Sequence, residues 1–250
     1  MGNILVTYSS QGFHEIAKKQ ISAIINVLGQ QSDPNTVDMM HNCGLILRDC
    51  GEFKEARRKQ EEVLELRRKT HGERNLHTIR AMYALAITFR DLGMFRDAED
   101  LMDMVLELRK EIVGDRHPDT IGAMNNLANT IRDRGRLEEA EDLEKNVLEL
   151  RKEILGDRHP DTIGAMNNLA ATIRDRGRLE EAEDLQKNVL ELCKEILGDR
   201  HPDTITVMDN LAATIGDRGR LEEAEDLQRK AMELRKETLG NLHAMPVQNP

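Results

Sequence analysis

The stretch His117–Arg158, HPDTIGAMNNLANTIRDRGRLEEAEDLEKNVLELRKEILGDR, is followed directly by a second copy of itself at His159–Arg200. The two copies differ at three positions only, which are Asn129/Ala171, Glu144/Gln186 and Arg151/Cys193. Repetition at a fixed period of this size is typical of structural units that stack side by side and bury a continuous core between neighbours.

The same period extends in both directions from this stretch. HPDT begins again at His201, and related sequence begins at Asn75 and at Asp33. We therefore divide most of the chain into five units of 42 residues, at 33–74, 75–116, 117–158, 159–200 and 201–242.

Each unit is predicted to form two antiparallel helices, here called helix A and helix B. In the third unit Pro118 suits a first helical position, because its missing N–H would be unpaired there. Apolar residues then recur at helical spacing as far as Ile131, and Gly135 ends helix A. Helix B follows and is expected to end near Gly156, and in the fifth unit near the equivalent Gly240.

The residues before these helices are predicted to serve as caps. Asp33 and Asn75 precede helix A in the first two units, and both residue types cap helices well. His117, His159 and His201 occupy the same position in the later units, and we interpret them as hydrogen-bonding residues at the helix start. Stacked units would hold them on the order of 10 Å apart, too far to share a zinc ion.

Composition supports an all-α fold. Aromatic residues make up 2% of the chain and Trp is absent, whereas charged residues make up 33%. The core must come from Leu, Ile, Val, Met and Ala, and this composition with abundant Glu, Lys and Arg favours helices.

The formal net charge of -10 argues against nucleic acid as a partner. No apolar run is long enough for a membrane span. Three cysteines without a CxxC pair indicate reduced thiols and a cytoplasmic location.

Small residues recur at fixed positions in the two helices of each unit, at Gly44, Ala86, Ala128, Ala170 and Ala212 and again at Ala56, Ala98, Ala140, Ala182 and Ala224. This pattern, with NNLANTIRDRGRLEEAEDL in the third unit, resembles the tetratricopeptide (TPR) signature. The long period and the HPDT opening are similar to kinesin light chains and to the TPR arrays of fungal NLR-type (STAND) proteins. The resemblance implies a right-handed superhelical solenoid of antiparallel helix pairs.

The ends of the chain are predicted to differ from the units. Residues 1–32 have the pattern of one amphipathic helix, which we interpret as an N-terminal capping helix or half-repeat. Residues 243–250 are expected to form a disordered tail.

Motifs for catalysis and cofactor binding are absent from the sequence. It contains no phosphate-binding loop, GxGxxG, HExxH, GxSxG or CxxC. The acidic start of helix B, with Glu138, Glu139 and Glu141, is expected to be favourable charge at a helix N-terminus and solvated surface, with Glu141 and Lys145 forming a helical pair. We therefore expect a non-enzymatic protein without a cofactor or metal.

The candidate functional residues lie on the side of helix A opposite its apolar stripe, which the TPR resemblance places on the concave surface of the solenoid. They are Asn42, Arg48, Tyr83, Arg90, Asn125, Asn126, Asn129, Arg132, Asn167, Asn168, Arg174 and Asn210. Asn can donate to and accept from the backbone of an extended peptide. Arg can bind carboxylates through two hydrogen bonds. These residues predict a groove for a peptide or protein segment, in particular an acidic one.

A structural alternative explains the same residues. An Asp follows each of Arg48, Arg90, Arg132 and Arg174, and the Asp of one unit could pair with the Arg of its neighbour. The row would then link repeats rather than bind a ligand, and the two roles are compatible. Met40, Met82, Met124, Met166 and Met208 share one position in helix A and are expected to fill the core.

Two other functions remain open at the level of sequence. The chain could be the sensor or oligomerisation segment of a larger STAND-type signalling NTPase. It could also be a self-assembling array, because near-identical units can stack end to end between molecules.

Overall fold

The structure, a computed structural model, describes residues 34–243. This part of the chain forms ten helices, which are α1 Pro34–Asp49, α2 Phe53–His71, α3 Leu76–Asp91, α4 Phe95–Val113, α5 Pro118–Asp133, α6 Leu137–Leu155, α7 Pro160–Asp175, α8 Leu179–Leu197, α9 Pro202–Asp217 and α10 Leu221–His243. Odd-numbered helices correspond to helix A and even-numbered helices to helix B. The predicted all-α array of paired helices is confirmed, and the described residues contain no strand. The predicted N-terminal helix at 1–32 and residues 244–250 of the predicted tail 243–250 lie outside the described residues, whereas His243, the first residue of that tail, is the last residue of α10.

The helix ends follow the predicted chemistry. The side chain of Asn75 accepts a hydrogen bond from the backbone N–H of His77 at 2.8 Å. In the later units Nδ1 of His159 accepts from the N–H of Asp161 at 3.1 Å, and His201 does the same for Asp203 at 3.2 Å. These histidines are helix caps, as expected. The turn after each A helix contains a glycine with positive φ, such as Gly135 at 80°, where a side chain would be strained.

One predicted boundary is wrong. Gly240 was expected to end the last B helix, but α10 continues to His243. At the equivalent Gly198 the backbone turns to φ 87° and the helix ends. Glycine permits this left-handed conformation without requiring it, so the residue type alone does not fix where the helix ends.

The described residues divide into two compact units, with the boundary between Thr130 and Ile131 inside α5. From here on, a unit is one of these two bodies and a repeat is one 42-residue stretch. In the first unit α1 packs against α2, α2 against α3 and α3 against α4, and α1 also touches α3. In the second unit the same pattern runs from α6 to α10, and α7 touches α9. Neighbouring A helices therefore contact each other directly within each unit.

Small and flexible side chains fill the core. The recurrent alanines are almost completely buried, for example Ala86 in α3 and Ala182 in α8. Their small size lets the paired helices approach closely. The methionines of helix A are buried as predicted, with 0% of Met82 and Met208 exposed.

Candidate functional site

In the second unit, the polar face of helix A links one repeat to the next. Asn210 on α9 donates a hydrogen bond through Nδ2 to Oδ1 of Asn167 on α7 at 3.1 Å. Further along the same helices, Nε of Arg174 lies 2.7 Å from Oδ2 of Asp217. The partners in each pair are 43 residues apart, so each contact joins a residue to the following position of the next repeat.

The first unit contains a variant of this arrangement. Asn126 donates through Nδ2 to the hydroxyl of Tyr83 at 2.5 Å, again across 43 residues. The guanidinium of Arg109 lies 4.5 Å from the centre of the Tyr83 ring, a cation–π geometry. Burial raises the pKa of Tyr83, and the charge of Arg109 partly offsets this effect. Tyr83 is therefore held on its ring face and at its hydroxyl.

The arginines of the face are also engaged. Arg48 lies 2.9 Å from its neighbour Asp49 and 3.8 Å from Asp91 of the next repeat. Arg90 lies 4.0 Å from Asp91, and Arg132 lies 3.9 Å from Glu144. The Asp of one repeat therefore does reach the Arg of the preceding one at Arg48 and at Arg174.

The remaining candidates differ in exposure. Asn42 is exposed, whereas Asn125, Asn129 and Asn168 are half-buried. The structure arranges the candidate residues as successive pairs along helix A within each unit rather than as one convergent pocket. Such a series presents hydrogen-bonding groups at repeated intervals, which suits an extended ligand better than a small compact one.

Comparison with protein families decides what kind of array this is. A tetratricopeptide repeat model matches residues 35–111 and 161–237, and a second tetratricopeptide repeat model matches residues 120–161. The chain belongs to the tetratricopeptide repeat family. TPR proteins typically mediate protein–protein interactions and are generally non-enzymatic. No curated protein matches the chain.

Solved structures place this TPR chain near kinesin light chain-like arrays. A candidate kinesin light chain of Podosopora anserina with nearly identical TPR-like repeats has a TM-score of 0.67 at 21% identity, over 83% of this chain and 99% of that one. BtubC (BKLC) from P. vanneervenii has a TM-score of 0.67 at 17% identity, over 95% of this chain and 93% of that one. The predicted resemblance to TPR repeats of the kinesin light chain type is confirmed.

A third similar structure is NprR in complex with its cognate peptide NprX. It has a TM-score of 0.68 at 17% identity, over 96% of this chain and 66% of that one. Rap protein complexed with Competence and Sporulation Factor has a TM-score of 0.73 at 12% identity, over 90% of this chain and 61% of that one. Identities this low establish the shared fold alone.

The TPR sequence also builds a contact that sequence reasoning missed. Glu141 on α6 was expected on the solvated surface, but its side chain is 0% exposed. Arg178, in the turn between α7 and α8, donates to both carboxylate oxygens at 2.9 and 3.1 Å. Arg176 of the same turn and Lys145 of α6 also bond this carboxylate, so the predicted pair with Lys145 is present. We call this set the glutamate–arginine cluster.

The cluster recurs in the next repeat. Glu183 on α8 is 1% exposed and receives Arg218 at 2.5 Å, Arg220 at 2.8 Å and Lys187 at 2.6 Å. Burial alone would raise the pKa of Glu183, but the hydrogen bonds from the three cations outweigh it and lower the pKa to about 2. The pKa of Glu141 is lowered to about 2 by the same balance. The signal in sequence was the recurrence of Arg-Gly-Arg after helix A together with the Glu five residues into helix B.

A second series of links joins helix B to the start of the next helix A. Arg67, Arg109 and Arg151 each donate to a backbone carbonyl ten residues ahead, at 2.8, 2.5 and 2.8 Å. Cys193 occupies the equivalent position in the fourth repeat. Arg67 also lies 2.5 Å from Asp38. These arginines donate to carbonyls in the first turn of the next helix A and so position the following repeat.

Two buried ionisable side chains have ring or carboxylate atoms without a hydrogen-bond partner in the described part of the chain. His41 is buried, and its Nδ1 has no hydrogen-bond partner in the described structure. Tyr83 and Asn167 occupy the equivalent position in later repeats, and each pairs with an Asn 43 residues ahead. The residue 43 positions after His41 is Ala84, whose side chain cannot form a hydrogen bond. Burial, with the charges of Arg67 and Arg80, lowers the pKa of His41 to about 4.

The second group is Glu144, which is 2% exposed on α6. Neither of its carboxylate oxygens has a hydrogen-bond partner in the described part of the chain. Burial raises the pKa of Glu144, and the nearby Thr172 hydroxyl and Arg132 offset this only in part. The equivalent residue of the next repeat is Gln186, which carries no charge.

Within residues 34–243, no group of three or more His, Cys, Asp or Glu side chains is arranged to hold a metal ion. In the same range no helix is both long and apolar enough to cross a bilayer.

Proposed function

We propose that this TPR protein is a non-enzymatic scaffold that binds an extended, acidic peptide or protein segment along the polar faces of its A helices. The observation that supports this most directly is the solvent exposure of the Arg174–Asp217 ion pair. The two side chains are 33% and 47% exposed, and an ion pair this exposed contributes about 0–1 kcal/mol to stability. A ligand carboxylate can therefore replace Asp217 on Arg174 at little cost to the fold.

The asparagines supply the second component of binding. Asn167 and Asn210 use one hydrogen bond for each other, and each amide retains further donor or acceptor capacity. Repeated amides can bond the backbone of an extended chain whatever its sequence, while the arginines select for acidic side chains or a C-terminal carboxylate.

The solved relatives are consistent with this function. The NprR structure contains a cognate peptide, and the Rap structure contains Competence and Sporulation Factor. The three cysteines are all free thiols in the structure, which fits the reducing conditions of the cytoplasm. These similarities support ligand binding by the array but do not identify the ligand.

The test is a binding measurement with a panel of labelled acidic peptides, in which wild type is compared with the Arg174→Glu variant. We expect the variant to lose at least tenfold in affinity while its helicity and Tm stay close to wild type. Asp217→Ala is the matched control, because it removes the internal partner of Arg174 and should bind acidic peptides more tightly. If Asp217→Ala and Arg174→Glu both unfold at a much lower temperature and neither changes binding, the Arg174–Asp217 pair only links repeats.

A further inference from the structure

One exposed face of α10 carries residues equivalent to those that are buried on the preceding B helix of the second unit, α8. On α8, Glu183, Gln186 and Leu190 are buried, with 1%, 1% and 6% exposed. Their equivalents on α10 are Glu225, Gln228 and Met232. These three residues are exposed, and 53% of Met232 is open to solvent. Leu221 at the start of α10 is 64% exposed.

The structure shows what covers this face when it is filled. Over α6 the covering element is the turn containing Arg176 and Arg178, and over α8 it is the turn containing Arg218 and Arg220. In both cases two arginines separated by one glycine converge on the buried glutamate. On α10 Glu225 has no ion-pair partner among residues 34–243, and Arg229 instead pairs with Asp226 at 2.7 Å.

We infer that the face of α10 formed by Leu221, Glu225, Gln228 and Met232 is a docking surface for a helical-hairpin partner whose interhelical turn contains Arg-x-Arg. The two arginines supply the charge that Glu225 lacks, and the first helix of the partner covers Met232. Two internal copies of this interface show that the geometry is compatible with this fold. The surface is separate from the helix-A face proposed to bind peptides.

A second copy of this chain is a poor match through its first described turn. The positions equivalent to Arg176 and Arg178 are Cys50 and Glu52 between α1 and α2. A head-to-tail contact would bring Glu52 towards Glu225, which is a like-charge contact. Charge complementarity to Glu225 therefore favours a different protein over a second copy of this chain as the occupant.

The probe is a labelled synthetic peptide with the sequence of residues 160–200, which contains Arg176 and Arg178. Its anisotropy is measured against the full chain. We expect saturable binding that weakens at least tenfold with Glu225→Arg. A peptide with Arg176→Glu and Arg178→Glu should fail to bind wild type and should bind the Glu225→Arg chain. Glu233→Arg is the control, because Glu233 is exposed on α10 away from this face.

Three results would overturn the inference. The first is an absence of saturable binding, and the second is equal binding by the Glu225→Arg and wild-type chains. The third is a concentration-dependent dimer in sedimentation that Glu225→Arg abolishes, because the occupant would then be a second copy. Circular dichroism of each variant establishes that an exposed substitution on α10 leaves the helices intact.

Discussion

Arg178 and Glu141 are 37 residues apart in sequence, yet the guanidinium of Arg178 donates to both oxygens of the buried Glu141 carboxylate. This contact fastens the turn between α7 and α8 onto the helix of the preceding repeat. It is charged, bidentate and shielded on the carboxylate side, which are the conditions under which an ion pair contributes measurably to a fold.

Glu141→Ala should destabilise the second unit by about 2 kcal/mol. The substitution leaves Arg176 and Arg178 without their shared carboxylate, but both are partly exposed and can be rehydrated, which keeps the loss below the about 3–5 kcal/mol that breaking a buried pair costs. Urea denaturation measures the change. Glu225→Ala is the matched control on α10 and should alter stability by less than about 0.5 kcal/mol. Equal losses for the two variants would contradict a role for the cluster.

Glu144→Gln should stabilise the protein at neutral pH, and Gln186→Glu should destabilise it. Because folding raises the pKa of Glu144, the protonated side chain contributes to the free energy of unfolding. This contribution is complete below the unfolded pKa and is lost as pH rises through the folded pKa. The difference between Glu144→Gln and wild type should therefore shrink below about pH 4.5. Urea midpoints across pH 3.5 to about 8 provide the measurement. A pH-independent difference would mean that packing rather than charge is responsible.

Tyr83→Phe and Asn126→Ala should each cost about 0.5–1.5 kcal/mol, because each removes one side of a half-buried hydrogen bond. In a double-mutant cycle the combined loss should be smaller than the sum of the two single losses. Asn42→Ala is the control, since Asn42 is exposed and should be nearly neutral. Additive effects would show that the hydroxyl and amide do not interact in solution.

His41 should make the first unit sensitive to mild acid. Its pKa is lowered from 6.5 to about 4, so the folded state resists protonation, and stability present above pH 6.5 is lost as pH falls towards 4. The facing groups are Arg67 on α2 and His77 and Arg80 on α3, which disfavour the charged ring, and Asp38 on α1, which favours it.

The matched variant for this prediction is His41→Asn, which introduces the residue found at Asn125 and Asn167. Its unfolding free energy should vary less between pH 6.5 and 4 than that of wild type. NMR titration of the His41 ring gives a direct check, and a ring pKa near 6.5 in the folded protein would refute the prediction.

Much of the fold follows from the sequence because it depends on periodicity. The 42-residue period, the caps such as Asn75 and the methionine positions each have a local physical cause, and the structure agrees with them. The end of α10 was missed because Gly240 can continue a helix or stop it. The identity of the pairs between repeats was harder to predict, since Glu141 and Glu138 look alike in sequence. Only the stacking distance determines that one of them is buried against two arginines.

The candidate site is less predictable than the fold for the same reason. The sequence places Arg174 and Asn167 on one side of helix A but does not reveal whether their partners are internal. The structure provides internal partners, Asp217 and Asn210, and leaves the side chains partly exposed. Their role depends on whether a ligand displaces the internal partners from Arg174 and Asn167. Neither periodicity nor composition determines the outcome of that competition.

The repeat 159–200 carries both halves of the glutamate–arginine cluster, an arginine pair and a buried glutamate. It contributes Arg176 and Arg178 to the carboxylate of the preceding repeat and offers Glu183 to the arginines of the following one. Duplication or deletion of the corresponding stretch of the gene therefore changes the number of carboxylates and the number of arginine pairs together. The array can grow or shorten by whole repeats without stranding a buried charge, and the near-identity of residues 117–158 and 159–200 is what such copying would leave behind.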